Sequence, residues 1–486
     1  MPNQLYPPEK EKERIDKYKL YESIFKGEHF EAFSQLFNKG EEEKIQKVKY
    51  VMANYGGMIS KLSADMLFEE FPTIRFPEGD SDFSEAMIVE NNLKIQLYES
   101  ALENSFRGDA VFALRKKDNQ LKIEDLNPIC YFPKYHPGNV RIQPDEEDLI
   151  FEVELPEAVK KSYDSAIVVE THSKGKISYQ GYYLRGTGTG ASEMTQTDHK
   201  QFKGYEEIPN EVKTGVDDSL LVFHIKNFGI NSSFFGFSDY ADLISLFNAI
   251  NKRLTRVDTI LDKHGDPILA VPDGVLDEEG KVSRQSFGVI EVPTGEAAGQ
   301  KPEYIVWDAK LESAFKEIEA LTEMMMMTSE TSKAAFGMDK DGQAESGRAL
   351  KFKLLRTIAK KHRKELYFDA GLKKMFYVAQ QFAKAQKLSC GSVKFSGVPV
   401  WPEIVWQDGV INDTQEQLEV EVDKLDNDLT TQEEAIQAID GSTEAEAAEK
   451  AAKINAEKDK KTPFQNDFSK NPNQSQSPDK NQNNNE

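Results

Sequence analysis

Four groups of residues in this sequence have types and spacings that could do chemistry. Gly186 to Ala191 reads GTGTGA, the G-x-G-x-x-A pattern whose glycines let a backbone approach a dinucleotide pyrophosphate at a helix N-terminus. A strand pattern precedes it, but ASEMTQTDHK after it has no helical apolar period, so a β-hairpin loop is expected there. Asp339, Asp341, Gly342 and Glu345 hint at a calcium loop; the alternating ligands and late Glu of an EF-hand are not met, and a solvated loop is the expectation. The histidines, at 29, 136, 172, 199, 224, 264 and 362, form no HxH or HxxxH pair and read as ordinary core or surface residues. Cys130 and Cys390 are the only cysteines, too few for a disulfide framework and not at metal spacing. No GxxxxGKS/T occurs, so no P-loop ATPase is encoded. The expectation is no catalytic residue, no cofactor and no metal ligand.

Spacing that could drive assembly is more prominent. Tyr240, Leu243, Phe247, Ile250, Leu254, Val257 and Leu261 repeat at alternating steps of three and four, an apolar seam along one helix. Such a seam suits either the core face of a buried helix or an oligomer contact. Asp239, Asp242, Asn248, Asn251, Lys252, Arg253, Arg256 and Asp258 leave a polar flank beside it. Between Arg348 and Lys374 ten Lys/Arg face only Glu365 and Asp369, the largest local charge excess in the chain. That stretch suits a solvated face, or contact with an acidic surface or a nucleic-acid backbone.

The elements that must position these residues follow from periodicity and punctuation. An amphipathic helix is expected over Glu41–Glu70, with Gly56 and Gly57 as a kink, and a second over Ser81–Arg107, stopped at Gly108. From Ala110 to Lys226 the pattern is mainly β: a hairpin around Lys117–Asn119, then VRI, LIFEVEL, AIVVE, ISYQGYYL and LLVFHI. Ser238 is expected to cap a helix running to Lys263, about 37 Å long. Short β runs follow at PILAVP, GVIEVP and YIVWDA. A helix over Lys310–Thr328 ends in the Met324–Met327 block, read as core filler. Ser329–Gly347 reads as a long loop, Arg348–Lys387 as a very long helix, SVKFSGVPVW and IVWQD as strands, and Asn412–Lys461 as helices. Thr430 with Glu433, or Thr431 with Glu434, offers a capping box there. In 463–486, 17 of 24 residues are Asn, Gln, Ser or Pro, too polar to bury a core, so disorder is expected.

Composition bounds the rest. The 486 residues predict about three folded units at roughly 150 each. Apolar residues make up 38% and charged residues 30%, and no apolar run reaches the ~18 residues of a membrane helix. The charged, proline-bearing N-terminus is unlike a secretory signal, and synthesis in a reducing cytosol is expected. The net charge of −22 opposes broad, tight attachment to nucleic-acid phosphates.

The order of these elements resembles the portal proteins of long-tailed double-stranded DNA bacteriophages, over roughly residues 20–440. The similarity is carried by NYGGMISKLSADMLFEEFP, by RGDAVFALRKKDNQLKIEDLNPICYFPKY and by FGFSDYADLISLFNAINKRLTRVDTILDKHGDPILAVP. It extends to MMMMTSETSKAAFGMDKDGQAESGRALKFKLL, with its Ser-Gly-x-Ala-Leu helix start at Ser346–Leu350.

The resemblance implies an α+β portal-type architecture. Residues 1–237 would be an outer α/β wing, 238–263 and 310–328 a two-helix stem, and 264–309 a small β-rich clip. Residues 329–347 would be a tunnel loop, 348–411 the long wing helix with strands, 412–462 a helical crown and 463–486 a disordered tail. It implies a ring, typically of twelve copies, at one capsid vertex in the virion, assembled in the host cytoplasm. Its partners would be the terminase large subunit, a head-tail connector, the major capsid and scaffold proteins, and double-stranded DNA in the channel, with no membrane. The channel loop would present Lys333, Met338, Lys340 and Arg348, and the Tyr240–Leu261 seam would join stem helices of neighbouring subunits. Two other readings remain open: a DNA-processing enzyme such as a metal-dependent nuclease, and an adaptor or scaffold that forms no ring.

Overall fold

The computed structural model describes residues 5–34, 50–265, 268–270, 303–305, 311–338, 347–407 and 414–461, apart from 78, 137, 141, 187–190, 441 and 443. The chain divides into two compact units, Met1–Val410 and Ile411–Glu486, rather than about three.

In the first unit, α1 (Glu9–Lys26), α2 (His29–Phe33), α3 (Tyr55–Phe68), α4 (Ser81–Glu90) and α5 (Leu93–Arg107) precede the main strands. The expected kink at Gly56 and Gly57 is instead a helix start: the Asn54 side chain accepts the Gly57 N–H at 2.9 Å, capping α3. A Cβ on Gly56 would lie 2.9 Å from Ile24 and 3.2 Å from Tyr240, so the missing side chain lets three segments meet. The single helix expected over 81–107 is two. Asn92 takes a left-handed φ of 50°, and Asn91 turns inward, donating to the Met87 carbonyl and accepting the Ile123 N–H. Gly108, at φ 97°, stops α5 as expected.

Strands β3 (Asp109–Lys117) and β4 (Gln120–Leu126) form the expected hairpin, turned by Asp118 and Asn119, both with positive φ as a tight two-residue turn requires. They belong to a five-stranded sheet in the order β11 (Val222–Lys226), β3, β4, β14 (Ser389–Cys390), β15 (Val393–Lys394). A larger sheet is antiparallel in the order β1 (Leu5–Tyr6), β9 (Ser192–Thr197), β8 (Lys176–Gly186), β7 (Ser165–Ser173), β6 (Glu146–Val153), β5 (Tyr131–Pro133), with β10 (Glu211–Lys213) on β8. Val140 and Ile142, expected in a strand, lie in turns. Gly186 pairs with Ser192 across the antiparallel strands β8 and β9, so a strand and not a helix follows the GTGTGA motif, whose residues 187–190 lie outside the described residues.

After β11 the chain turns into α6 (Ile244–Gly265), returns through α7 (Leu311–Thr328), and runs the length of α8 (Gly347–Gln386). At the far ends of α6 and α7, β12 (Ile268–Ala270) pairs antiparallel with β13 (Glu303–Ile305). The GVIEVP run lies outside the described residues. A short ribbon pairs β2 (Thr73–Arg75) with β16 (Glu403–Val405). The largest core joins α3, α4, α5 and the inner face of the five-stranded sheet to Phe368, Leu372, Met375, Phe376, Ala379 and Phe382 of α8.

The second unit holds α9 (Thr414–Asp426), α10 (Gln432–Asp440) and α11 (Glu444–Lys461). Of the two capping boxes the sequence offers, Thr431 with Glu434 forms. Thr431 Oγ1 accepts the Glu434 N–H at 3.2 Å and Glu434 accepts the Thr431 N–H at 3.0 Å. The Asn/Gln-rich tail lies outside the described residues.

Candidate functional site

The segment that the sequence offers as a channel loop is built from the end of α7 upward. Ser329 N–H donates to the Met325 carbonyl and Thr331 N–H to that of Met326, so the chain leaves α7 in a tight turn with Glu330 at φ 57°. Ser332 then caps a short 3₁₀ turn, Lys333–Phe336, ended by Gly337 at φ 65°. Residues 329–332 are fastened to α8. Thr357 Oγ1 accepts the Ser332 N–H at 2.9 Å, and the Glu330 carboxylate takes Arg356 at 2.7 Å and also Arg363. The start of the expected long loop is therefore ordered by α8.

Lys333 forms an ion pair with Glu323 of α7 at 2.6 Å, and Met338 is exposed. Lys340 and the side chain of Arg348 lie outside the described residues, as does the Asp339–Glu345 cluster.

Beneath this turn sits a buried charge cluster that sequence reasoning did not identify. Asp239 accepts from Ser105 Oγ at 2.7 Å, Lys364 Nζ at 2.6 Å and Asn227 Nδ2 at 3.1 Å, with Lys360 Nζ 3.2 Å away. Lys360 also donates to the Ser329 carbonyl at 3.0 Å, and Lys364 to Ser63 Oγ at 2.6 Å. α5, α8 and Asn227 just after β11 thus meet at one carboxylate, and the two lysines extend the cluster to α3 and to the turn after α7. Burial alone would raise the Asp239 carboxyl, but the Lys360 and Lys364 ammoniums outweigh it and hold the group well below the ordinary carboxylate range. Burial lowers Lys364 to about 8 despite the attraction of Asp239, since two ammoniums share one carboxylate. Lys361, also buried, pairs with Glu365 at 2.7 Å and donates to the Gln407 carbonyl. Part of the basic stretch is therefore internal fastening, not a solvated face. The available signal was the i, i+4 spacing of Lys360 and Lys364, which places both on one helix face.

The Tyr240–Leu261 seam divides. Tyr240, Leu243, Phe247 and Ile250 lie in one core with Tyr21, Ile24, Ile59, Phe106, Met325 and Met326, and Tyr240 Oη bonds Ser60 Oγ at 2.8 Å. Leu254 is half-buried against the same core, Val257 is buried, and only Leu261, 48% exposed, faces solvent. The four residues from Tyr240 to Ile250 are covered by their own chain, because α1, α3 and α7 close over that face. Regular helix starts at Ile244 rather than after Ser238, whose hydroxyl donates to the Phe106 carbonyl and accepts the Tyr240 N–H, tying a turn to the end of α5. The polar flank is partly internal too. Asp239 is the hub above, and the buried Asn251 accepts the Ala53 N–H at 3.0 Å and donates to His29 Nδ1 at 2.8 Å. Of the Met324–Met327 block, Met325 and Met326 are core and Met324 and Met327 are exposed. Arg253 of α6 pairs with Glu317 of α7 at 2.7 Å.

Among the described residues no group of three or more His, Cys, Asp or Glu is placed to hold a metal ion, and no helix is long and apolar enough to cross a membrane. No curated protein matches the sequence. Among the solved structures similar at low identity are three chains of gene transfer agent (GTA) particles. A chain of the virion of the native particle is 11% identical, covering 79% of this chain and 89% of its own, with a TM-score of 0.43. A chain in the neck of the empty particle, computed with C6 symmetry, is 10% identical, covers 81% and 92%, and has a TM-score of 0.46. A chain in the neck of the native particle, computed with C12 symmetry, is 10% identical, covers 79% and 89%, and has a TM-score of 0.42. The family model for phage portal protein, SPP1 Gp6-like, matches residues 7–463. With an α+β fold whose elements follow that order and a match spanning nearly its whole length, the chain belongs to the SPP1 Gp6-like family of phage portal proteins.

Proposed function

We propose that this chain is the subunit of a ring at one capsid vertex, the channel through which double-stranded DNA enters a capsid during packaging and leaves on ejection. The observation that carries this reading is the family match over residues 7–463. The ring is proposed to hold twelve copies, built in the host cytoplasm and retained in the virion. Helices α6 and α7 would form its stem, the 264–309 region the clip that meets terminase and a head-tail connector, α8 the long wing helix, and 412–462 the crown. The major capsid and scaffold proteins would bind around it. Translocation energy must come from a separate ATPase, since the sequence encodes no P-loop.

A ring of subunits each carrying −22 would let duplex DNA pass without the many phosphate contacts that produce tight non-specific binding. Lys333, Met338, Lys340 and Arg348 are the proposed channel-facing set, with Lys333 exchanging Glu323 for a phosphate as DNA passes. Native mass spectrometry and electron microscopy of the purified chain test the ring. A well-folded lone subunit at high concentration and inside infected cells would overturn it. Replacing Lys333, Lys340 and Arg348 together with Ala tests the loop: altered packaged genome length supports the assignment, and unchanged packaging and retention reject it.

A further inference from the structure

A cavity of about 600 Å³ lies between α1, α5 and β4, within the size range of small-ligand sites. Its apolar wall is Phe25 stacked on Phe106 at 4.7 Å, with Leu102 and Ile123 beside them. Its polar wall is one side of α5, where Gln96, Glu99, Glu103 and Arg107 stand at steps of three and four. Asp125 completes that wall. Alternation along β4 puts it in the row of Leu121 and Ile123, on the inner face of the sheet. Gln96 fixes it there, accepting the Asp125 N–H at 3.1 Å and donating to the Ile123 carbonyl at 3.1 Å.

Much of the charge around the cavity is paired within the chain, and what remains is negative. Lys26 pairs with Glu22 at 2.7 Å, and Arg107 divides its fork between Glu22, at 2.9 Å, and Glu103. Glu124 stands on the other face of β4 and pairs with Arg115 at 3.3 Å. Among the described residues no Lys, Arg or His forms an ion pair with Asp125 or Glu99. Burial raises the Asp125 carboxyl to about 8, with Glu103 and Glu99 pushing the same way against Ser100 and Arg107. Burial raises Glu103 too, although Arg107 opposes it. A donor is also left over: Arg107 lines the cavity and is 2% exposed, yet its Nε has no hydrogen-bond partner. An enclosed guanidinium N–H without an acceptor is costly. The cavity therefore suits a ligand with a cationic nitrogen for the two carboxylates and, next to it, an oxygen for Arg107.

We propose that the cavity between α1, α5 and β4 binds an α-ammonium with its neighbouring carbonyl: the ammonium on Asp125 and Glu99, the carbonyl oxygen on Arg107 Nε, and an apolar side chain on Phe25 and Phe106. A polypeptide N-terminus presents that chemistry, and so does a free amino-acid amide. The proposal is independent of the ring reading. Asp125 holds its proton in the empty cavity up to about pH 8, so seating an ammonium beside it releases that proton to solvent. Affinity should then rise by up to about tenfold per pH unit from about 5 to 7, until the amine itself loses its charge near about 8.

Isothermal titration calorimetry of the full chain with L-leucinamide tests this, in two buffers of different ionisation enthalpy so that proton release is counted. Binding that strengthens with pH and releases close to one proton per ligand is expected. N-acetyl-L-leucinamide, which lacks the ammonium, should not bind, and isoamylamine, which lacks the carbonyl, should bind about tenfold more weakly. Asp125→Asn keeps the shape of the protonated carboxyl and should fold with the wild-type melting temperature. It should lose at least about tenfold in affinity and with it the pH slope, whereas Glu99→Gln should lose less and keep the slope. Leucylglycinamide separates the two sources: tighter binding than leucinamide supports a polypeptide N-terminus, and equal binding supports a free amine of that size.

No binding of leucinamide at millimolar concentration would overturn the proposal, as would equal binding of the acetylated compound or of isoamylamine. Unchanged affinity in folded Asp125→Asn would overturn it as well. Should that variant fail to fold, the wild-type protein still decides: binding without proton release and without a rise from pH 5 to 7 rejects the site. None of these outcomes bears on ring formation.

Discussion

Between Phe368 and Ala383 the second half of α8 buries Phe368, Leu372, Met375, Phe376, Ala379 and Phe382, whereas the first half buries Lys360, Lys361 and Lys364 and leaves Phe352, Leu355 and Leu366 in solvent. The backbone is one continuous helix, so the difference is in what surrounds each half. The second half meets the apolar faces of α3, α4 and the five-stranded sheet. The first half meets polar groups already committed by other segments: Asp239, the Ser329 carbonyl, Ser63 and the Gln407 carbonyl. Hydrophobicity decides which face turns inward only where the receiving surface is apolar. A surface of fixed acceptors can draw in ammoniums, provided each finds partners that offset its desolvation.

The comparison can be sharpened by removing one anchor from each half. Asp239→Ala leaves two buried ammoniums uncompensated and should cost about 3–5 kcal/mol in denaturant unfolding of the subunit. Phe376→Ala opens a core cavity and should cost a similar amount, about 3–5 kcal/mol. Acid separates the two. The Asp239 carboxyl titrates lower in the folded than in the unfolded chain, where it lies near about 3.9. Its stabilisation is therefore present above that unfolded value and is lost as pH falls through the lower folded one. Wild type and Asp239→Ala should converge in stability at low pH, while the gap to Phe376→Ala stays open. Convergence of both variants, or of neither, would mean that the two halves are held by the same kind of force.

At the alkaline end the slope has the same sign, although there it is the charged form that burial disfavours. Burial lowers Lys364 to about 8 in the folded chain, against about 10.4 unfolded. The unfolded state then holds the extra proton between those values, so wild-type stability should rise with pH across roughly 8 to 10, by on the order of 1–3 kcal/mol relative to Lys364→Met. A flat difference across that window would show that Asp239 fully compensates the charge.

The smallest effects are expected on the outside of the first half. Arg356→Ala removes an exposed pair with Glu330 and should cost about 0–1 kcal/mol. Leu355→Ala should change the isolated subunit by less than about 0.5 kcal/mol. A loss of several kcal/mol at Leu355 would show that the chain covers the outer side of this half and would remove the contrast between inside and outside.

Much of the architecture was legible because it is local. The β3–β4 hairpin follows from the runs AVFAL and LKIEDL around a turn able to take two positive φ angles, the stop of α5 from Gly108, and the length of α8 from an unbroken helical pattern. What misled was one-dimensional punctuation whose meaning depends on a neighbour. Gly56 and Gly57 look like a kink, but they begin a helix because Asn54 caps it and because Tyr240 and Ile24 need the space. Asn91 and Asn92 look like ordinary helical residues until Ile123 donates its N–H to the Asn91 side chain. Ser238 has the chemistry of a helix cap and spends it on a turn tied to Phe106.

The sequence by itself determined the α+β succession, the paired helices around a short β ribbon, the family membership and the absence of a P-loop, because each depends on residue type and spacing along the chain. Tertiary structure alone decided which side of each amphipathic helix is inside. The Tyr240–Ile250 seam and the Phe352–Leu366 stripe share the same three-and-four spacing, yet the first is closed over by α1, α3 and α7 and the second is open. Periodicity records that a face is apolar. Only the positions of distant segments, brought together around Asp239, fix whether the chain itself covers that face.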